Sequence, residues 1–459
     1  MLSVKDIHTV YFIGIGGIGM SALARYFHAL GKTVSGYDRT PTPLTRQLEK
    51  EGIDIHYEEN LSLIPANPEL VVYTPAIPAA HAELVYYQGQ EVPVLKRSQV
   101  LGIISRSSFN ICIGGTHGKT TTTTMTAHIL RDTGFGCNAF LGGISVNYGT
   151  NFWSDPRNVA VIEADEYDRS FHQLHPDIAV ISSMDPDHLD IYGTETNLQD
   201  AFVEFSRKLK PEGVLFSKYG LPRSAEMQAG KHYTYSLNNE SADIHARDIR
   251  MDNGSYTFTA VLPQMSIEGV QLNMGGMHNV ENALVSIAIA QQLGIDVEKI
   301  KEAVKNFRGV KRRFEYVLKT SRMVFVDDYA HHPEELRALL QGAKALFPDK
   351  HCTIIFQPHL YSRTRDLADG FAEVLSLADK VLLLPIYPAR ELPMEGVSSA
   401  MIAGKMADGK VELIEKADLQ RRVEQVLAGT NGKDLVITAG AGDIDALVQP
   451  LAETLKKHG

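Results

Sequence analysis

The feature that most restricts this chain is the segment Phe109-Asn110-Ile111-Cys112-Ile113-Gly114-Gly115-Thr116-His117-Gly118-Lys119-Thr120. An apolar run ends in glycines, turns, and opens a helical pattern. A buried strand that hands over to a helix through such a turn belongs to a parallel α/β layer. Backbone N–H groups of the turn can cradle phosphates, Lys119 can reach terminal phosphates, and Thr120 can offer a hydroxyl to Mg²⁺. The common spacing GxxxxGK[ST] asks for glycine at 113, where Ile113 stands. The loop is one residue short and carries Gly114 and Gly115 instead. Five threonines in a row, Thr120 to Thr124, follow. β-Branched residues are mediocre helix formers, so placing them at a helix start favours hydroxyl and N–H donors over local stability.

The same pattern occurs earlier. The run 9–14 reads as a buried strand, Gly14-Ile15-Gly16-Gly17-Ile18-Gly19 as a tight turn, and Ile18 to Leu30 as a helix. GxGxxG between strand and helix lets the backbone approach a pyrophosphate at the helix N-terminus. Asp38 ends the next strand, where a ribose-binding acid sits. NAD and a UDP-sugar present the same diphosphate, and the motif does not separate them. Further strands are expected over 33–38 and 71–77, then 158–165 and 177–183. Shorter alternating strands follow between about 213 and 275, and an apolar helix over 282–294. A last set is expected at 312–317, 323–328, 352–357, 380–387 and 434–440. These restarts predict three α/β units, residues 1–107, 108–311 and 312–459.

Several strand ends carry chemistry. Glu163 in Glu163-Ala164-Asp165-Glu166 stands where a Mg²⁺ ligand belongs beside a phosphate loop. His188, among Asp185, Asp187 and Asp190, could ligate a second metal or orient a phosphate. Asn279 is a plausible helix cap, and with Asn282 it could read an adenine edge. The third unit opens on Arg312-Arg313-Phe314-Glu315. Tyr329 and His331, then His359 and Arg363, follow two of its strands. Such residues at successive strand ends suit a small zwitterion, arginine taking its carboxylate.

Composition narrows the partners. The 459 residues carry 45 basic and 55 acidic side chains, net −10, which leaves no footprint for nucleic acid or an anionic membrane. Three scattered cysteines form no CxxC pair and fit a reducing cytosol. No signal peptide and no stretch of the roughly 18–20 apolar residues needed for a membrane span is expected.

Taken in order, GIGGIGMS, GTHGKTTTT, EADEYDRSFHQLHP, DPDHLDIY, HNVENAL, GVKRRFE, DDYAHHPEE, FQPHLYSRTRD and GAGD resemble the Mur ligases. These are the ATP-dependent amide-forming enzymes of peptidoglycan synthesis. The shortened loop GTHGKT is itself a mark of that family. Within it, the chain looks like the member that adds the first amino acid, L-alanine, to UDP-N-acetylmuramate. The ligase that reattaches a whole tripeptide to the same nucleotide sugar shares GTHGKT and DDYAHHP. The segment from Glu163 to Asp190 lacks the extra residues associated with that enzyme. Later members carry a carbamylated lysine on the helix after the DHxD segment. Val203 stands at that offset here, with no lysine until Lys208.

The resemblance implies a Rossmann-like UDP-binding domain, a central phosphate-loop ATPase-type domain and a Rossmann-like C-terminal domain. It implies ATP and Mg²⁺ as cofactors in a cytoplasmic monomer or homodimer. Gly14, Gly16, Gly17, Ile18, Gly19, Met20, Ser21 and Asp38 would hold the UDP-sugar. Gly115, Thr116, His117, Gly118, Lys119, Thr120, Thr121, His278, Asn279 and Asn282 would hold ATP. Thr120 and Glu163 would ligate one Mg²⁺ and His188 another. Lys119 and Arg313 would supply charge between the anions. Tyr329, His331, His359 and Arg363 would surround the alanine. An NAD-dependent oxidoreductase is the alternative of a different class, and it leaves GTHGKT unexplained. A nucleotide-switched binding protein and a folate polyglutamate ligase fit fewer of the motifs.

Overall fold

The computed structural model describes residues 3–187, 189–389, 391–407 and 409–457. Strands β1 (Thr9–Ile13), β2 (Thr33–Tyr37), β3 (Asp54–His56), β4 (Leu70–Tyr73) and β5 (Val94–Lys96) form a parallel sheet in the order β3-β2-β1-β4-β5. The order reverses between β1 and β4, and such a switch point leaves a crevice at the strand ends. The glycine turn after β1 stands at that crevice.

The second sheet holds β6 (Phe109–Gly114), β7 (Asn138–Phe140), β8 (Phe152–Trp153), β9 (Val159–Glu163), β10 (Ile178–Ile181), β11 (Val214–Lys218) and β12 (Lys231–Ser236). It also holds β13 (Ile244–Asp252), β14 (Ser255–Leu262) and β15 (Met265–Leu272). Its order is β15-β14-β13-β12-β11-β10-β6-β9-β7-β8. β6 lies between β10 and β9, parallel to both. The third sheet has β16 (Glu315–Lys319), β17 (Met323–Asp328), β18 (His351–Phe356), β19 (Lys380–Leu383), β20 (Val411–Leu413) and β21 (Asp434–Ala439), ordered β16-β17-β21-β18-β19-β20. Only β16 runs antiparallel there, against β17. The architecture is thus the three-sheet α/β type expected.

By compactness the chain divides into two units. One comprises Met1–Arg247, Thr259–Glu268 and Glu281–Val304. The other comprises Asp248–Phe258, Gly269–Val280 and Lys305–Gly459. In the first unit the sheet changes at Phe109 while the apolar core runs on: Phe12, Phe27, Val72 and Leu101 share one cluster with Phe140, Ile162, Phe171 and Phe205. Tyr26 packs its ring against Phe140, with centroids 5.3 Å apart. Buried Arg25 ties Glu51 at 2.7 Å to the side-chain oxygen of Asn151. Asn151 in turn donates to the carbonyl of Ile18 and, at 2.9 Å, to Ser21 Oγ. In the second unit, Met323, Phe325, Ile355, Leu382 and Val436 make the core with the helices Leu419–Ala428 and Asp445–Leu455.

Some elements depart from the sequence reading for identifiable reasons. β4 stops at Tyr73 rather than running to 77, because Pro75 and Pro78 follow and proline has no N–H for a ladder. β19 stops at Leu383, just before Pro385, for the same reason. The apolar helix begins at Met277, not 282. Among the described residues, no helix is long and apolar enough to cross a membrane.

Phe27 is fully buried in the shared cluster. Phe27→Ala is expected to cost about 3–5 kcal/mol of unfolding free energy. Urea denaturation of the two proteins measures it, and a loss below about 1 kcal/mol would contradict the packing described.

Candidate functional site

Register builds the phosphate loop. Ile113 pairs with Glu163 on one side of β6, and Gly114 pairs with Ile181 on the other. The loop therefore leaves the sheet flanked by the carboxylate at the end of β9 and by Ser182 and Ser183 beyond β10. Gly115 has φ 132°, and a Cβ there would stand 2.0 Å from Ser182 Oγ, so glycine is required. The Thr116 N–H donates to the Ser183 carbonyl at 3.2 Å, and the His117 N–H donates to Ser183 Oγ at 2.7 Å. Thr116 Oγ1 donates to Ser183 Oγ at 3.0 Å. Gly118, in the left-handed region with φ 80°, leads into the helix Lys119–Asp132. Thr120 to Thr124 are all buried. Thr124 Oγ1 satisfies itself on the Thr120 carbonyl at 2.7 Å.

Three carboxylates leave the end of β9 toward three different partners. Glu163 Oε1 accepts from Thr120 Oγ1 at 3.0 Å, and its Oε2 accepts from the Gly142 N–H at 3.0 Å. Asp165 meets Arg97 at 3.3 Å. Glu166, fully buried, meets Lys119 Nζ at 2.7 Å, and Lys119 also donates to the Gly115 carbonyl at 2.6 Å. Sequence reading singled out Glu163 and passed over the roles of Asp165, Glu166, Arg97 and the two serines. The run Glu163-Ala164-Asp165-Glu166 carried the signal for two of them, since three acids at one strand end need three counter-groups.

The glycine turn lies in the same unit. Gly14 takes φ 86°, and the N–H groups of Gly14 and Ile15 donate to the Tyr37 carbonyl at 2.8 and 2.9 Å. The Gly16 N–H donates to Asp38 Oδ2 at 2.7 Å, so Asp38 stands on the turn itself. Ile18 opens the helix Ile18–Ala29, whose Met20 and Ser21 are buried. At Gly19 a Cβ would lie 2.6 Å from Arg97 Nη1, so the bare backbone is what admits the guanidinium. A cavity of about 270 Å³ joins this turn to Glu163 and Asp165. Asn282, buried, lies against the loop: a Cβ on Gly118 would stand 3.0 Å from its Oδ1. Thr121 is buried on the first turn after the loop, and the exposed His117 ring sits 3.5 Å from Asp185. His188 lies outside the described residues.

The second unit holds His278, Asn279 and the third-sheet residues. His278 is exposed. Asn279 is not the cap expected: it lies in the first turn and donates its Nδ2 to the Gly275 carbonyl at 2.7 Å. Arg312 is a pin rather than a ligand-facing group. It reaches Asp327 at 3.4 Å, the carbonyls of Gly440 and Gly442, and the face of Tyr329 at 5.2 Å. Arg313 is left exposed.

Tyr329, His331, His359 and Arg363 are brought together. The ring centroids of Tyr329 and His331 are 5.3 Å apart, and those of His331 and His359 are 5.8 Å apart; Arg363 Nη1 lies 3.5 Å from His359 Nδ1. Tyr387 stacks on His359, and Glu391 accepts from the Ser362 N–H at 3.0 Å. Neither was marked by any motif. Burial lowers the pKa of both histidines. His331 Nδ1 lies 3.0 Å from the Tyr329 carbonyl, which can only accept, so the neutral ring carries its proton on Nδ1 and leaves Nε2 as an acceptor. Burial pushes Asp327 up to about 7 and Asp328 to about 6, against the pull of Thr438 and Arg312 on the first and of backbone N–H groups on the second.

Comparison with known proteins matches the whole layout. Three family profiles fall in chain order: the Mur ligase family catalytic domain over 9–109, the Mur ligase middle domain over 113–290 and the Mur ligase glutamate ligase domain over 312–442. A UDP-N-acetylmuramate–L-alanine ligase from Porphyromonas gingivalis is 48% identical over 454 residues, covering 97% of this chain and 99% of its own. One from Flavobacterium johnsoniae is 44% identical, covering 100% of both. The crystal structure of UDP-N-acetylmuramate-alanine ligase from Thermotoga maritima superposes with TM-score 0.82 at 29% identity, over 98% of this chain and 100% of that one. A murein peptide ligase from Psychrobacter arcticus gives 0.66 at 25%, over 98% and 99%. With both glycine-rich turns and the strand-end clusters inside the matched stretches, this chain belongs to the Mur ligase family.

Proposed function

We propose that this enzyme joins L-alanine to the carboxylate of UDP-N-acetylmuramate, converting ATP to ADP and phosphate through an acyl phosphate, as a cytoplasmic step of peptidoglycan precursor synthesis. The observation that carries the reading is the cavity that links the diphosphate-type glycine turn to Glu163, whose other side meets the phosphate loop at Thr120. A nucleotide sugar and a nucleoside triphosphate can thereby meet at one strand end. An oxidoreductase needs only the first of these motifs. A tripeptide ligase is the weaker match, since its representative superposes at 0.66 against 0.82.

A carboxylate does not acylate an amine in water, because its leaving group is oxide. Transfer of the γ-phosphoryl group to the muramyl carboxylate makes phosphate the leaving group. The alanine amine then attacks, a tetrahedral intermediate forms and phosphate departs. The residues divide the work. Positions 1–107 hold the UDP-sugar through Gly14 to Ser21 and Asp38. Positions 108–311 hold ATP through Gly115 to Thr121, Asn279 and Asn282, with His278. Positions 312–459 hold alanine through Tyr329, His331, His359 and Arg363.

Lys119 and Arg313 supply positive charge where two anions must approach. The Thr120 hydroxyl and Glu163 carboxylate are the hard oxygen donors that Mg²⁺ takes, and His188 would hold a second ion. Bound there, Mg²⁺ neutralises charge on the phosphates. Alanine arrives as an ammonium ion and must lose a proton to attack. Neutral His331, with Nε2 open as an acceptor, is the group to take it. Holding the reactants in line supplies most of the rate.

The direct test is phosphate release with ATP, Mg²⁺ and UDP-N-acetylmuramate, comparing single amino acids with an L-Ala-D-Glu-containing tripeptide. Stimulation by alanine is expected, and stimulation by the tripeptide alone would overturn the assignment. Lys119→Ala should fold and lose at least about 10²–10³-fold in turnover; near-normal turnover would remove the phosphate role. His188→Ala should raise the Mg²⁺ requirement more than the ATP requirement, which a magnesium titration reads. Because burial holds the His331 pKa below 6.5, kcat/KM for alanine should stay flat from neutral pH down to below that value, then fall as the ring gains a proton. His331→Gln should abolish that acid limb and lower kcat about 10²-fold; an unchanged pH profile would assign the proton transfer elsewhere.

A further inference from the structure

Arg97 has no part in the scheme above, yet among the described residues it is the only positively charged side chain lining the cavity between the glycine turn and the end of β9. The other charged residues of that lining are Glu163 and Asp165. An anionic sugar substrate must pass those two carboxylates to reach the phosphate loop. Lys119 does not line this cavity; its ammonium is turned to Glu166 at 2.7 Å and to the Gly115 carbonyl at 2.6 Å.

Arg97 is placed for the task at both ends. Its guanidinium lies against Gly19, where a Cβ would come within 2.6 Å of Nη1. On the other side Nη2 meets Asp165 Oδ2 at 3.3 Å. That contact is single and long, and the two side chains retain 22% and 36% of their exposure. A pair so open to water is weak and exchangeable. The planar fork of arginine fits a carboxylate with two parallel hydrogen bonds, which Asp165 does not exploit.

We infer that Arg97 binds the sugar-borne carboxylate of the acceptor substrate, exchanging Asp165 for it and holding it at the phosphate loop. The inference rests on the reading of this enzyme as a ligase of a UDP-sugar acid. The diphosphate has its own donors in the first backbone N–H groups of the helix Ile18–Ala29, which have no partner within the helix, so the arginine is left for the carboxylate. Gly19 is thereby a specificity device as well as a turn residue, since any side chain there would displace the guanidinium.

The test uses two nucleotide sugars that differ in the carboxylate. UDP-N-acetylmuramate carries it, and UDP-N-acetylglucosamine does not. Binding of each to the full-length enzyme is measured by calorimetry, for wild type, Arg97→Met and Asp165→Asn. Arg97→Met should weaken UDP-N-acetylmuramate by about 10- to 100-fold and leave UDP-N-acetylglucosamine unchanged. Asp165→Asn removes the competing partner and should bind UDP-N-acetylmuramate at least as tightly as wild type. Equal weakening of both sugars by Arg97→Met would assign the arginine to the diphosphate, and no weakening would remove it from the site; either result overturns the inference. If wild type binds neither sugar, the ligase reading itself fails, an outcome distinct from both.

Discussion

Everything at the phosphate loop depends on the parallel register of three buried strands. β9, β6 and β10 run side by side, and their pairing sets Glu163, Ile113 and Val180 at the same level, one residue before Gly114 and Ile181. A slip of one residue would turn every side chain to the other face and carry Glu163 away from Thr120. The strands are nearly continuous runs of buried aliphatic residues, as parallel strands covered on both faces must be. The hydrophobic core thus fixes the coordinates of the polar site: burial holds the strands, the strands hold the register, and the register holds the carboxylate beside the hydroxyl.

The electrostatics at that edge follow from crowding. Three acids leave β9 within four residues, and each is answered by a different group: a hydroxyl and an amide for Glu163, Arg97 for Asp165, Lys119 for Glu166. Unanswered, they would repel one another and raise one another's pKa values. The buried Lys119–Glu166 pair also has a mechanical meaning. Breaking it leaves a fully buried carboxylate without its cation, so any ligand that draws Lys119 away must offset that cost.

The second unit solves a different problem. Arg312 and Phe314 both hold positive φ, at 61° and 47°, a conformation that costs non-glycine residues energy. It is sustained because the Arg312 guanidinium is tied to Asp327 and the Gly440 region, and because the Phe314 N–H is held by Asp328 at 2.7 Å. The bend sends Arg312 inward and leaves its neighbour Arg313 exposed. Two adjacent arginines are thereby set apart, one tied into the fold and the other left at the surface.

The glycine turns, the phosphate loop with its lysine, the strands β1, β6, β17 and β21 and the strand-end clusters were all legible in the chain itself. Each is a local device: hydrophobic period, turn chemistry and residue spacing act within a few positions, and sequence order displays them. Short strands such as β3, β5, β7 and β8 were not legible, because two or three residues are too few to show a period. The start of the helix at Met277 was also hidden, since the cap expected at Asn279 is a back-bond to Gly275. Only the tertiary structure could decide that Lys119 meets Glu166, that Arg97 bridges Gly19 and Asp165, that Tyr387 stacks on His359, and that Arg312 rather than Arg313 is tied to Asp327. Those pairings join residues far apart in sequence, and which acid meets which base is settled by strand register and shared core packing, quantities that no local spacing encodes.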